Sequence, residues 1–191
     1  EKASEAGVDG LILVSAGAGG HGGTINPMSL VAEIKKFFKK TIILSGCIST
    51  GQDIASAMQM GADFAYMGTR FINTKESLAD EGYKDMIINS KADDIVYTAA
   101  VSGVNANFLK PSLEAMGITE DMWKNSKKID FGKELSAAEA EAKAWKTIWS
   151  AGQGVTSITD SPSVKDLVDK LKEEFVDAID CLLYTSDAAD E

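Results

Sequence analysis

Apolar and polar positions along the chain fall into a repeating order that predicts strands alternating with amphipathic helices. The stretch "VDGLILVSA" (8–16) is apolar without polar alternation and is flanked by turn residues, the pattern of a strand covered on both faces. After a glycine-rich loop, Asn26 is placed as an N-cap before Pro27 at the first helical position. Leu30, Ile34 and Phe37, with Val31 and Phe38, then draw one apolar face along 26–40. A second round begins with the strand in "TIILSGCIS" (41–49); Thr50 and Asp53 form a capping box for a helix over 51–60, stopped at Gly61. A third strand is predicted in "ADFAYMGTRF" (62–71), and "EKASEAG" at the start reads as the last turns of a helix ending at Gly7. Strands alternating with helices imply parallel pairing through right-handed crossovers, so the fold class is α/β.

The rhythm breaks after this. "TKESLADEGYKDMIINSKADD" is helical in pattern, "IVYTAAVSG" is a short extended piece, and "PSLEAMGITEDMWKNSKKIDFGKEL" is polar and punctuated by Gly and Pro. Residues 74–135 therefore read as an insertion, a small helical lid over the end of the sheet. Ser136 and Glu139 make a further capping box, opening a helix through Trp145, Ile148 and Trp149 that ends in the loop "SAGQGV". A final helix starts near Ser161–Pro162 and carries Val164, Leu167, Val168, Leu171, Phe175 and Ile179 on one face. The division is 1–73 for the β/α units, 74–135 for the insertion, 136–180 for the returning helices, and 181–191 for a segment that continues no periodicity and reads as a foreign tail.

Composition narrows the function classes. With 191 residues, 45% hydrophobic and 25% charged, the chain is an ordinary globular sequence. No apolar run approaches the roughly 20 residues that span a bilayer, and no basic, apolar leader is present, which gives a cytoplasmic expectation with no membrane partner. The first residue is Glu, and the chain is expected to be part of a longer protein. Cys47 and Cys181 cannot build a disulfide framework, a single histidine rules out a histidine-rich metal site, and a net charge of -10 argues against nucleic acid.

The chemistry concentrates in "SAGAGGHGGTINP" (15–27), with five glycines and that single histidine, His21. Gly17, Gly19 and Gly22 satisfy the spacing of a dinucleotide fingerprint, but Pro27 delays the helix and the next strand ends in "LSGCIS" without the acidic residue that holds a ribose. A reading that uses all three strand ends is stronger. In a parallel α/β sheet the C-terminal strand ends lie on one side, so "AGAGGHGG", "SGCIST" and "MGTRF" converge. Glycines let backbone N–H groups approach an anion, and Gly46–Cys47 with Gly68–Thr69 on consecutive strand ends match the phosphate cup of barrels. The ligand is then a phosphorylated cofactor. Beside these readings stand plainer ones: Cys47 as a small filler rather than a reactive thiol, Arg70 as a structural ion-pair partner, Trp145 and Trp149 as core residues rather than cofactor shields, and Lys35, Lys36, Lys39 and Lys40 as a solvated helix face.

The segments "DGLILVSAGAGGHGGTINPMSLVAEI", "LSGCISTGQDIASAMQMGADFAYMGTRFINTKES", "ADDIVYTAAVSGV" and "AWKTIWSAGQGV" resemble the C-terminal part of the nitronate monooxygenase family, formerly called 2-nitropropane dioxygenases. The resemblance implies an FMN-dependent TIM (β/α)8 barrel, of which this chain supplies about strands 6–8 with the inserted segment on the substrate side. It implies that His21 takes the α-proton of a nitroalkane or orients the anionic nitronate. It places Ala18, Gly19 and Gly20 beside the flavin, and Gly46, Cys47, Gly68 and Thr69 on its phosphate. The partners are a small nitronate or nitroalkane substrate and O2. An imidazole suits the histidine's role because it exchanges protons near neutrality.

The sequence departs from the family at two places. Many relatives carry two glycines where Gly46–Cys47 stand, and a cysteine is expected to keep that backbone contact only with a negative φ. A glutamine near Val14 and a glutamate near Gly17, common in relatives, are absent. Two alternatives stay open: an NAD(P)H-dependent flavin reductase of quinones or enoyl thioesters on the same fold, and an inactive fragment whose three strands leave a sheet face uncovered. The oligomeric state, a homo-oligomer included, is also open.

Overall fold

The computed structural model describes residues 1–124 and 148–187. After a short helix α1 (Lys2–Glu5), three parallel strands, β1 (Gly10–Val14), β2 (Thr41–Ser45) and β3 (Phe64–Tyr66), lie in the order β1-β2-β3, with Leu13 opposite Leu44 and Leu44 opposite Ala65. Helices α2 (Pro27–Lys35) and α3 (Gly51–Met60) make the connections. Both start where the sequence says they must. Asn26 Oδ1 accepts the Met28 N–H at 2.9 Å, and Thr50 and Asp53 exchange the reciprocal bonds of a capping box. Gly61 ends α3 in the left-handed conformation, φ 103°.

The helices cover one face of the sheet. Leu13, Ile42 and Leu44 are buried with Val31, Phe38, Ala57 and Ala62 in a single cluster. The opposite face is open: Ile12, Val14, Phe64 and Tyr66 are 55%, 39%, 60% and 55% exposed. Within the described residues the first strand is thus covered on one side, as three strands alone leave it, where the apolar run predicts cover on both. Its unbroken apolar run reflects two apolar faces, and the described residues supply a partner for one of them. Two smaller expectations also change. Phe37 is exposed, so the apolar face is made by Val31 with Leu30 and Ile34, and by Phe38 just past the end of α2. The third strand is only three residues long, because Thr69–Ile72 already forms a helical turn, α4.

The following residues form α5 (Glu81–Asn89), an antiparallel pair β4 (Ile95–Thr98) and β5 (Ala106–Leu109), and the helices α6 (Lys110–Ala115) and α7 (Glu120–Lys124). A helical lid was expected here. A two-stranded sheet is present as well, and every residue of β5 is buried. Phe108, Leu113, Ile118 and Trp123 build a second core with Ile148. A strand buried at every position has no alternation to read, and Pro111 starts α6 rather than marking a loop.

The helix expected from Ser136 through Trp145 falls mainly on residues 125–147, outside the described residues. Trp149 stacks on Tyr83, ring centroids 5.1 Å apart, which is the packing role expected of it. A long helix α8 (Val164–Asp187) closes the described structure and buries Leu167 and Leu171. The expected break at Cys181 is not a helix end. Leu182, Leu183 and Tyr184 continue α8 but stand exposed, so the packed stripe stops while the helix runs on. No helix among the described residues is long and apolar enough to cross a membrane.

Candidate active site

The C-terminal ends of β1, β2 and β3 open onto one cleft of about 290 Å³. Parallel register brings the first two loops together: the Ser15 N–H donates to Ser45 O at 2.9 Å, and the Ser15 hydroxyl donates to the same carbonyl at 2.9 Å. The glycine loop closes at its base through the Ala16 N–H to Ile25 O bond of 2.8 Å.

Seven of the eight residues singled out in the sequence line this cleft: Ala18, Gly19, His21, Gly46, Cys47, Gly68 and Thr69. Gly20 does not. Its backbone pairs with Asn107 of β5 instead, so the loop turns that residue away from the cavity.

The sequence reading missed a fourth wall. The loop 150–154 contributes Ser150, Gly152 and Gly154 to the lining. It is bonded to the first and third strand ends: the Gly152 N–H donates to Thr69 Oγ1 at 3.0 Å, and the Gln153 N–H donates to Gly17 O at 2.8 Å. The two glycine loops approach closely, since a Cβ on Gly19 would lie 2.8 Å from Gly152 N and one on Gly152 would lie 2.6 Å from Gly17 O. The signal was present as two glycines in "SAGQGV", but Gly152 and Thr69 are 83 residues apart and no local pattern joins them. Tyr83 fixes this wall by donating its hydroxyl to Ser150 O. Burial pushes the Tyr83 phenol up to about 12, which keeps it a donor across the neutral range.

Cys47 corrects a further expectation. It does not take a negative φ. With φ 58° it adopts the conformation a glycine would, next to Gly46 at φ 122°, so the loop keeps its path at a cost of roughly 1–2 kcal/mol for a non-glycine residue. Partial burial, and then the charge of Asp53, raise its thiol above the usual value, which argues against a reactive thiolate, although the residue is exposed rather than a buried filler. Arg70 is structural: it is buried and donates to Asp160 Oδ1 at 2.6 Å and to Asp160 O at 3.1 Å.

The donors at the cleft are distributed unevenly. The N–H groups of Ser49 and Thr50 go to Asp53 Oδ2, both at 2.9 Å, and that of Gly51 goes to Glu174 Oε2 at 2.8 Å, so the first turn of α3 has little left for a ligand. Among the described residues, the N–H groups of Cys47, Gly68 and Thr69 have no acceptor, and no aspartate or glutamate lines the cleft. Among the described residues, the buried Ser49 hydroxyl has no hydrogen-bond partner. A Cβ on Gly68 would meet no atom of the described residues within 4 Å. Unspent donors and no wall carboxylate suit a phosphate group.

Comparison with known proteins agrees with the resemblance. The sequence profile described as nitronate monooxygenase matches residues 1–174. A nitronate monooxygenase of Paraburkholderia phytofirmans is 31% identical over 192 residues, covering 93% of this chain and 52% of its own length. A probable nitronate monooxygenase of Staphylococcus aureus is 27% identical over 187 residues, 88% of this chain and 52% of its own. Among solved structures, FabK from Thermotoga maritima superposes with a TM-score of 0.77 at 25% identity, over 96% of this chain and 60% of that one. A nitroalkane oxidase from Streptomyces ansochromogenes superposes at 0.73 and 26%, over 95% and 55%. The chain spans about half the length of the curated relatives it matches.

Proposed function

Since this chain belongs to the nitronate monooxygenase family, we propose that its cleft is the phosphate and substrate end of an FMN site in an enzyme that oxidises alkyl nitronates with O2 to a carbonyl compound and nitrite. The observation that carries this reading is the meeting of three strand-end loops at one cavity, with unspent backbone donors on two of them and His21 on the third. On this reading β1, β2 and β3 are three consecutive strands, about the sixth to eighth, of a (β/α)8 barrel. The open face bearing Ile12, Val14, Phe64 and Tyr66 would be its interior, packed against inward side chains of the other strands.

The residues present fit the cofactor. Cys47, Gly68 and Thr69 would hold the phosphate through their N–H groups. Thr69 Oγ1 accepts from Gly152, which leaves its proton free to donate. Ala18 and Gly19 would lie along the flavin, while Gly20 serves the loop's attachment to β5. When bound, FMN supplies the redox chemistry. The chain's own contribution is positional and acid–base: His21 removes the α-proton of a neutral nitroalkane, or faces the nitronate's negative charge as a donor, from a glycine loop that lets substrate approach the backbone.

The test is an assay of the purified protein loaded with FMN, measuring nitrite release and O2 uptake with an alkyl nitronate in parallel with NAD(P)H oxidation. Nitrite formation without NAD(P)H is the expected result. NAD(P)H oxidation with no nitrite would contradict the proposal and assign a flavin reductase to the same cleft.

A further inference from the structure

The loop that carries His21 is an unusual place to put a catalytic group. Gly17, Gly19, Gly20, Gly22 and Gly23 surround it, and glycine loses more conformational freedom on ordering than any other residue. Two backbone bonds close the base of the loop, Ala16 N–H to Ile25 O at 2.8 Å and Ala18 N–H to Ser15 O at 3.4 Å, and neither reaches residues 19–23. Loop 150–154 holds the Gly17 and Gly19 side of the loop, and residues 18, 20 and 22 around His21 are held from 75 or more residues further along the chain, by β4 and β5.

Gly20 and Asn107 exchange two backbone hydrogen bonds, the Asn107 N–H to Gly20 O at 2.7 Å and the Gly20 N–H to Asn107 O at 3.3 Å. The Asn107 side chain adds a third, its Nδ2 donating to Ala18 O at 2.7 Å. Tyr97 of β4 donates its hydroxyl to Gly22 O at 3.2 Å. Residues 18, 20 and 22 are thus each tied to the β4–β5 pair, on both sides of His21. Asn107 is buried, 4% exposed, within a strand whose other side chains pack into the core, so the clamp itself is rigid. Gly22 fits closely against it: a Cβ there would lie 3.0 Å from Asn107 Nδ2.

We infer that Asn107, with Tyr97 as its lesser partner, is a positioning residue for His21, and that the β4–β5 pair sets the geometry of proton removal rather than acting as a loose lid. Neither residue lines the cleft, so any effect on the reaction travels through the loop. The chemistry of the amide explains the residue type: it must donate to a carbonyl while its own backbone is already used. An aspartate of the same shape would present a carboxylate oxygen to the Ala18 carbonyl and lose the bond. This inference rests on the proposed role of His21 as proton acceptor.

The test compares a neutral nitroalkane with its preformed nitronate in the FMN-loaded protein, for wild type, Asn107→Asp, Tyr97→Phe and His21→Asn, with FMN affinity and thermal midpoint measured for each. A misplaced base impairs proton removal more than handling of a substrate already deprotonated. Asn107→Asp is expected to lower kcat for the neutral nitroalkane by about 10- to 100-fold, with KM and FMN affinity little changed and a clearly smaller loss on the nitronate. Tyr97→Phe, at a half-exposed position that tolerates the change, shifts the same ratio in the same direction by less. Equal losses on both substrates, or an unchanged ratio in folded Tyr97→Phe and Asn107→Asp proteins, would overturn the inference. A His21→Asn protein that keeps the wild-type ratio would instead remove the reading beneath it.

Discussion

His21→Asn is expected to lower turnover of a neutral nitroalkane by roughly 100- to 10,000-fold, about 3–5 kcal/mol in the barrier, while the protein keeps its fold and its FMN affinity. Asparagine retains polarity and approximate size but has no ring nitrogen to accept a proton. His21 is exposed at the edge of the cleft and is not part of any buried cluster, so its replacement has little to disturb in the core. Turnover of the preformed nitronate falls less, because its proton is already gone and only an electrostatic contact is lost. The check is steady-state kinetics on both substrates beside a flavin titration. Unchanged nitrite release from the neutral substrate would exclude the residue as the base.

The second large effect concerns stability. Gly51, the first residue of α3, packs directly on the backbone of α8: a Cβ there would lie 2.2 Å from Leu171 O and 2.4 Å from Phe175 N. Helical backbone cannot step aside cheaply, and the same contact holds the Gly51 N–H to Glu174 Oε2 bond. Gly51→Ala is therefore expected to destabilise the protein by about 3 kcal/mol, lowering the thermal midpoint by roughly 10 °C. Calorimetry measures it. A midpoint within a degree of wild type would mean that α8 does not seat on α3 as described.

Much of the fold that positions the cleft was legible because its signals are local. The Asn26–Pro27 start of α2, the Thr50–Asp53 box and the Gly61 stop each need only four or five neighbouring residues, and each stands where the pattern puts it. Convergence of the strand ends followed from parallel topology alone. What was missed depends on contacts between distant segments. The wall made by 150–154 is defined by bonds to Gly17 and Thr69, and the turning away of Gly20 is defined by Asn107; neither partner is near in sequence. The buried strand β5 had no polar alternation to expose it. At Cys47 steric preference favours a negative φ, and the loop's path, shared with Gly46, overrides that preference. The capping of α3 by Asp53 and Glu174 uses up the donors at the start of that helix and leaves the open ones on Cys47 and on Gly68 and Thr69 at the start of α4.

The central claim is that these backbone donors grip a phosphate. Equilibrium binding of FMN and of riboflavin, which has the same ring system without the phosphate, measures it directly through quenching of flavin fluorescence. Two or three charge-assisted hydrogen bonds predict FMN binding at least about 100-fold tighter, close to 3 kcal/mol. Equal affinity for the two flavins would contradict the account.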